Sequence, residues 1–104
     1  MTQRPHPEPT SDIRHERLEA LRDAIERTTD LRARLVSPAQ SGTGTTTLHV
    51  TNLHAARLSE YIGCDLLDGA WWFTWPLTDS GALGPAEDLD AAVKVINHVL
   101  APRM

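Results

Sequence analysis

The chain has 104 residues, 40% of them apolar, and a formal charge of −4 from ten basic and fourteen acidic side chains. That length holds one domain around a single core, and that composition excludes a wholly disordered chain. No run approaches the roughly 20 apolar residues of a membrane helix, and the single cysteine can form neither an intrachain disulfide nor a four-cysteine zinc site.

In residues 1–10, Pro5, Pro7 and Pro9 alternate with polar side chains and no apolar h-region is present. The pattern predicts a disordered, polyproline-like arm ahead of a single domain over 11–104, and with an unpaired cysteine it predicts a cytoplasmic protein. Ser11 or Asp12 is a suitable helix N-cap. From Asp12 to Val36 there is no Gly or Pro, and Leu18, Leu21, Ile25, Thr28, Leu31 and Leu35 recur at spacings of three and four. This predicts a helix over about 12–36, near 36 Å long, which would overhang a sheet about 19 Å wide. An overhang carrying Ile13, Leu18 or Leu35 suggests burial against a second copy or another protein. Ser37 to Thr46 reads as a flexible loop.

Thr47–Thr51 alternates like a strand, and Leu58–Leu67 and Ala70–Leu77 are stronger strands joined by Asp68-Gly69, a two-residue hairpin signal. A two-residue loop sets Leu67 opposite Ala70, Leu66 opposite Trp71, Cys64 opposite Phe73 and Ile62 opposite Trp75. Leu66, Trp71, Cys64, Phe73, Ile62 and Trp75 sort to one side of the pleat, apart from Asp65, Trp72, Gly63, Thr74, Tyr61 and Pro76. Ala82-Leu83 can add an edge strand, and residues 86–100 read as an amphipathic helix with Leu89, Ala92, Val93, Ile96, Val99 and Leu100 on one face. The whole predicts an α+β two-layer sandwich: a long N-terminal helix, a three- or four-stranded antiparallel meander and a C-terminal helix.

For chemistry, the pattern offers little. Glu16, Glu19, Asp23, Glu26 and Asp30 form an acidic stripe opposite the apolar one, so phosphates would be repelled and no nucleic acid is expected. Cys64, mid-strand on the apolar side, reads as an inert hydrophobe without a cationic neighbour. No metal or cofactor motif is present, and Gly42-Thr43-Gly44 lacks the following Lys of a phosphate loop. The outer side of the sheet is more informative. Trp72, set diagonally over Gly63, together with Tyr61, Asp65 and His49, forms a candidate binding surface, since exposed aromatics are enriched at contacts. The reading is a non-enzymatic protein-interaction domain, as homodimer or with a protein partner. The alternative is a small-molecule binder or enzyme using the aromatic face or a cavity lined by Trp71 and Trp75.

Leu58-Ser59-Glu60, Gly63-Cys64, Trp71-Trp72-Phe73-Thr74-Trp75 and Gly84-Pro85-Ala86-Glu87-Asp88 resemble the pattern of a group of small actinobacterial proteins without an assigned activity. The likeness covers about half the chain, and nine Arg to one Lys suits such a source. Members of this group accompany regulatory genes, which implies an adaptor or regulatory role. The helix–meander–helix order is also similar to the type III secretion chaperone-like architecture, whose members bind other proteins; that likeness is one of fold.

Overall fold

A computed structural model describes residues 9–42, 44–76 and 81–101. The chain runs through helix α1 (Pro9–Thr28), strand β1 (Leu31–Val36), a short helix α2 (Pro38–Ser41), strands β2 (Thr47–Asn52), β3 (Ala55–Leu67), β4 (Ala70–Thr74) and β5 (Ala82–Pro85), and helix α3 (Leu89–Leu100). All five strands form one antiparallel sheet in the order β1-β2-β3-β4-β5. The two long helices cover one face of it, so the fold is the expected α+β arrangement with one or two more strands than predicted.

The extra strand corrects the long-helix expectation. α1 stops at Thr28 because two successive β-branched residues turn their hydroxyls back onto the helix: Thr28 Oγ1 donates to the Ala24 carbonyl at 2.6 Å and Thr29 Oγ1 to that of Ile25 at 2.7 Å. Such bonds compete with helix continuation. The Thr29 hydroxyl also accepts the Leu31 N–H at 3.0 Å, turning the chain into β1. Leu31 and Ala33 are buried, Arg32 and Arg34 exposed, the period of a strand. No overhang therefore exists at Leu35, and Leu18 is fully buried. At its other end α1 includes Pro9 and Thr10, ahead of the expected cap. Residues 1–8, where most of the expected Pro-rich arm falls, lie outside the described residues. The segment expected to be a flexible loop contains α2, with Ser37 as N-cap, Pro38 in the first turn and Gly42 at φ 73 closing it.

The β3–β4 hairpin has the predicted register: Leu67 pairs with Ala70, Leu66 with Trp71, Asp65 with Trp72, Cys64 with Phe73 and Gly63 with Thr74. Asp68 (φ 50) and Gly69 (φ 81) are both left-handed, as a type I′ turn requires. The ladder ends at Thr74, so the expected pairs Ile62–Trp75 and Tyr61–Pro76 do not form; the Trp75 N–H instead bonds the Gly81 carbonyl at 3.0 Å.

Leu18, Leu21, Ala24 and Ile25 of α1 and Ala92, Val93, Ile96 and Leu100 of α3 close over Ala33, Leu48, Val50, Ile62, Cys64 and Phe73. Trp71, Trp75, Leu35, Leu58, Leu83 and Leu89 pack around this centre. Removing the Phe73 ring would cost about 3–5 kcal/mol. Two apolar assignments need correction. Leu66, expected under the helices, is 48% exposed because the hairpin tip projects past them, and Val99 is 46% exposed. At 100° per residue Val99 falls about 70° from the centre of the α3 stripe. α3 also begins later than expected, at Leu89, where the Asp88 carboxylate accepts the Ala91 N–H at 3.1 Å.

Both edges of the sheet are blunted. On β1, the Leu31 N–H is taken by Thr29 and the Ala33 N–H by the Glu26 carboxylate at 3.2 Å. On the far side β5 has only four residues and ends in Pro85, which has no N–H. The β2–β3 turn is tied down by Asn52, which accepts the His54 N–H at 2.8 Å and donates to the Leu100 carbonyl at 2.7 Å.

Candidate functional site: the uncovered face of the sheet

Strand alternation decides what the uncovered face displays. With Leu48, Val50, Ile62, Cys64 and Phe73 turned to the helices, the residues between them point outward. From β1 these are Arg32 and Arg34; from β2, His49 and Thr51; from β3, Ser59, Tyr61, Gly63 and Asp65; from β4, Trp72 and Thr74. The face is closed at one end, where the paired Val36 and Thr47 are buried, and open where Arg32 pairs with Thr51 and Arg34 with His49.

The four residues singled out in the sequence all lie on this face, and they fall into two separate pairs. His49 sits directly across from Tyr61, their ring centroids 4.7 Å apart and tilted by 32°. Asp65 sits across from Trp72. Along β3, Tyr61 and Asp65 are four residues apart, about 13 Å, so the pairs do not converge on a common point.

Asp65 is already engaged. Its carboxylate accepts the Thr74 hydroxyl at 3.1 Å and faces the Arg14 guanidinium at 3.4 Å. Arg14 Nε also donates to the Cys64 carbonyl at 2.7 Å, and the guanidinium stands 5.8 Å from the Trp71 ring centroid. A group that reaches a backbone carbonyl and an outward carboxylate on adjacent residues stands at the side of the strand. Arg14 therefore seals β3 beyond Ile62, the last β3 residue paired with β2 on that side. The side chains nearest to Gly63 are Thr74 and Pro76, where the sequence suggested Trp72. A Cβ at Gly63 would meet Thr74 Oγ1 at 2.7 Å and the Pro76 ring at 3.6 Å, so these two residues fill the space.

The features that sequence reasoning missed are Arg32 and Arg34. As strand residues they extend outward side by side, exposed, beside the His49–Tyr61 pair. Arg14, Arg22 and Arg27 each lie against an oxygen of Asp65, Asp23 or the backbone. Among the described residues Arg32 and Arg34 make no ion pair. An open groove of about 410 Å³ runs between Arg32, Arg34, His49, Thr51, Asn52 and Leu53, the last 54% exposed. The signal was present in the alternation of Leu-Arg-Ala-Arg-Leu-Val.

Cys64 lies 1% exposed on the helix side. Burial, then the Asp65 carboxylate, push its thiol up to about 12. Arg14 and Arg17 pull the other way, so cationic neighbours exist, contrary to the sequence reading, and are outweighed. Trp71 and Trp75 pack against the core cluster. Among the described residues no three His, Cys, Asp or Glu side chains gather as a metal site would need, and no helix is long and apolar enough to cross a membrane. Comparison of the chain with protein-family models, with curated proteins and with solved structures finds no match.

Proposed function

We propose that the protein is a cytoplasmic, non-enzymatic protein-interaction domain, of adaptor, chaperone-like or regulatory type, that receives its partner on the uncovered sheet face. One observation carries this reading: the helices cover only one side of the sheet, and the other presents exposed Arg32 and Arg34 beside the stacked His49 and Tyr61. Arginine and aromatic side chains are the types enriched where proteins meet. Trp72, half-buried farther along the face, extends the same surface. A long phosphate polymer suits it poorly, because two exposed arginines are a small basic patch on a chain that carries −4 overall.

A second copy of the chain is the other protein occupant this reading admits. A small molecule in the same groove is the second reading, favoured by a volume in the range of ligand sites, about 410 Å³. A photoreactive side chain substituted at Tyr61, illuminated in the native host, separates the three. The expected result is an adduct with a different protein, absent when the same group replaces exposed Lys94. Adducts with the chain itself would assign the face to a homodimer, which light scattering of the purified protein would confirm as doubled mass. A small-molecule adduct, or no adduct at all, overturns the protein-partner reading.

A further inference from the structure

We infer that the partner presents an extended, carboxylate-bearing protein segment across β1 and β2, lying on the face of the sheet and not lengthening its edge. This rests on the reading of that face as the interaction surface, and it adds the partner's chemistry and direction of approach.

The spacing of the two arginines is the first argument. Arg32 and Arg34 stand two residues apart on one strand and on the same side, about 7 Å from each other. Acidic residues at alternate positions of an extended chain repeat at the same distance, so such a segment meets both guanidiniums without bending. Charge is the second. The protein is acidic as a whole, yet neither arginine has an ion pair among the described residues, while Asp65, also on this face, is already held by Arg14 and Thr74. A negatively charged segment would be repelled by the α1 surface and drawn to this one. Pairing along the edge of β1 is the less favourable approach. An added strand needs free main-chain N–H groups along β1, and those of Leu31 and Ala33 are occupied by Thr29 and Glu26. Finally, His49 and Leu53 line the groove with aromatic and apolar surface, and Tyr61 stands against His49, which suits an uncharged side chain between the acids.

The test uses the full chain and a labelled short peptide alternating Glu with Thr, read by fluorescence anisotropy. Its controls are a Lys-for-Glu peptide and single-stranded oligothymidylate. The expected result is binding of the acidic peptide alone, weakening with added salt, with shifts of the His49 and Tyr61 NMR signals. Arg32→Glu with Arg34→Glu should weaken it about tenfold or more, since two exposed ion pairs are removed and replaced by repulsion. Arg34→Gln should have a smaller effect and Lys94→Glu none, with unchanged circular dichroism showing that each variant folds. Equal binding of the basic peptide, tighter binding of the oligonucleotide, insensitivity to salt or an unaffected double variant would each overturn the inference. If a protein is cross-linked from position 61 but the acidic peptide does not bind, only this inference falls. If neither occurs, the interaction reading falls with it.

Discussion

Arg14, one turn before Leu18 on the buried stripe of α1, donates from Nε to the carbonyl oxygen of Cys64, fifty residues away in sequence, at 2.7 Å. The same guanidinium faces Asp65 at 3.4 Å with 18% of the Arg14 side chain exposed. A charged donor holding a backbone carbonyl contributes about 1.5–3 kcal/mol, while the half-exposed Asp65 pair adds little after solvent screening. Arg14→Ala should therefore lower stability by about 1–3 kcal/mol, and Asp65→Asn by clearly less. Arg14→Lys should recover only part, since one ammonium cannot keep the planar two-point geometry. Urea midpoints of the three variants decide it; equal losses for Arg14→Ala and Asp65→Asn would assign the contribution to the ion pair instead.

The hairpin turn makes a sharper demand at one position. Gly69 has φ 81 and nothing lies within 4 Å of where its Cβ would be, so any cost of substitution there is conformational. Gly69→Val is expected to destabilise by more than about 1 kcal/mol, and Gly69→Asn by less, because asparagine tolerates left-handed backbone. An unchanged urea midpoint for Gly69→Val would contradict the turn geometry.

Gly63 presents the opposite case, with ordinary backbone and no room. Its Cβ would fall 2.7 Å from Thr74 Oγ1. Gly63→Ala should cost about 1–3 kcal/mol through forced displacement. Adding Thr74→Ala should return part of that loss despite removing the hydrogen bond to Asp65. A double-mutant cycle measures the rescue, and strict additivity would show that the clash relaxes elsewhere.

The Cys64 thiol, pushed up to about 12 by burial, carries a pH signature. In the unfolded chain a thiol ionises near 8.5. Below that pH both states hold the proton and stability is indifferent to it. As pH rises toward 12 the unfolded state sheds its proton first, so the raised pKa destabilises the fold progressively across that interval. The difference in stability between the wild type and Cys64→Ala should therefore shrink from pH 8 to pH 11, a comparison that cancels tyrosine and lysine titration. At neutral pH the native thiol should react with a disulfide reagent far more slowly than the denatured one.

How much could be read in advance depended on how many local signals agreed. In the β3–β4 hairpin, the turn dipeptide and the alternation of Ile62, Cys64, Phe73 and Leu66 pointed to one register, so the side facing outward was legible down to Tyr61 and Trp72. Over Leu31–Val36 the leucines at 31 and 35 satisfied a helical period as well as a strand period. The decision was made by Thr28 and Thr29, whose hydroxyl bonds end the helix. That ambiguity hid Arg32 and Arg34: as helix residues, Arg32 would lie beside the core stripe and Arg34 on the acidic side, one turn after Asp30. The engagement of Asp65 was not legible, because it depends on where the Arg14 turn of α1 crosses the sheet. Nor was the exposure of Leu66, since alternation specifies a side of the sheet and says nothing of how far the covering helices extend.

β3 is longer than its neighbours, and its two ladders meet end to end: Ile62 is the last residue paired with β2 and Gly63 the first paired with β4. No β3 residue in these ladders is held from both sides at once. The sheet is thus two three-stranded panels joined through a common strand, with β1 and β2 on one panel and β4 and β5 on the other. The splint across that seam is the helical layer, with α1 seated on β1, β2 and β3 and α3 on β3 and β5. Twisting one panel against the other would be resisted by side-chain packing of the helices and not by a continuous ladder. Amide exchange should then resolve two opening units that meet between residues 62 and 63, and loosening the helices would let the panels swing before either one melts.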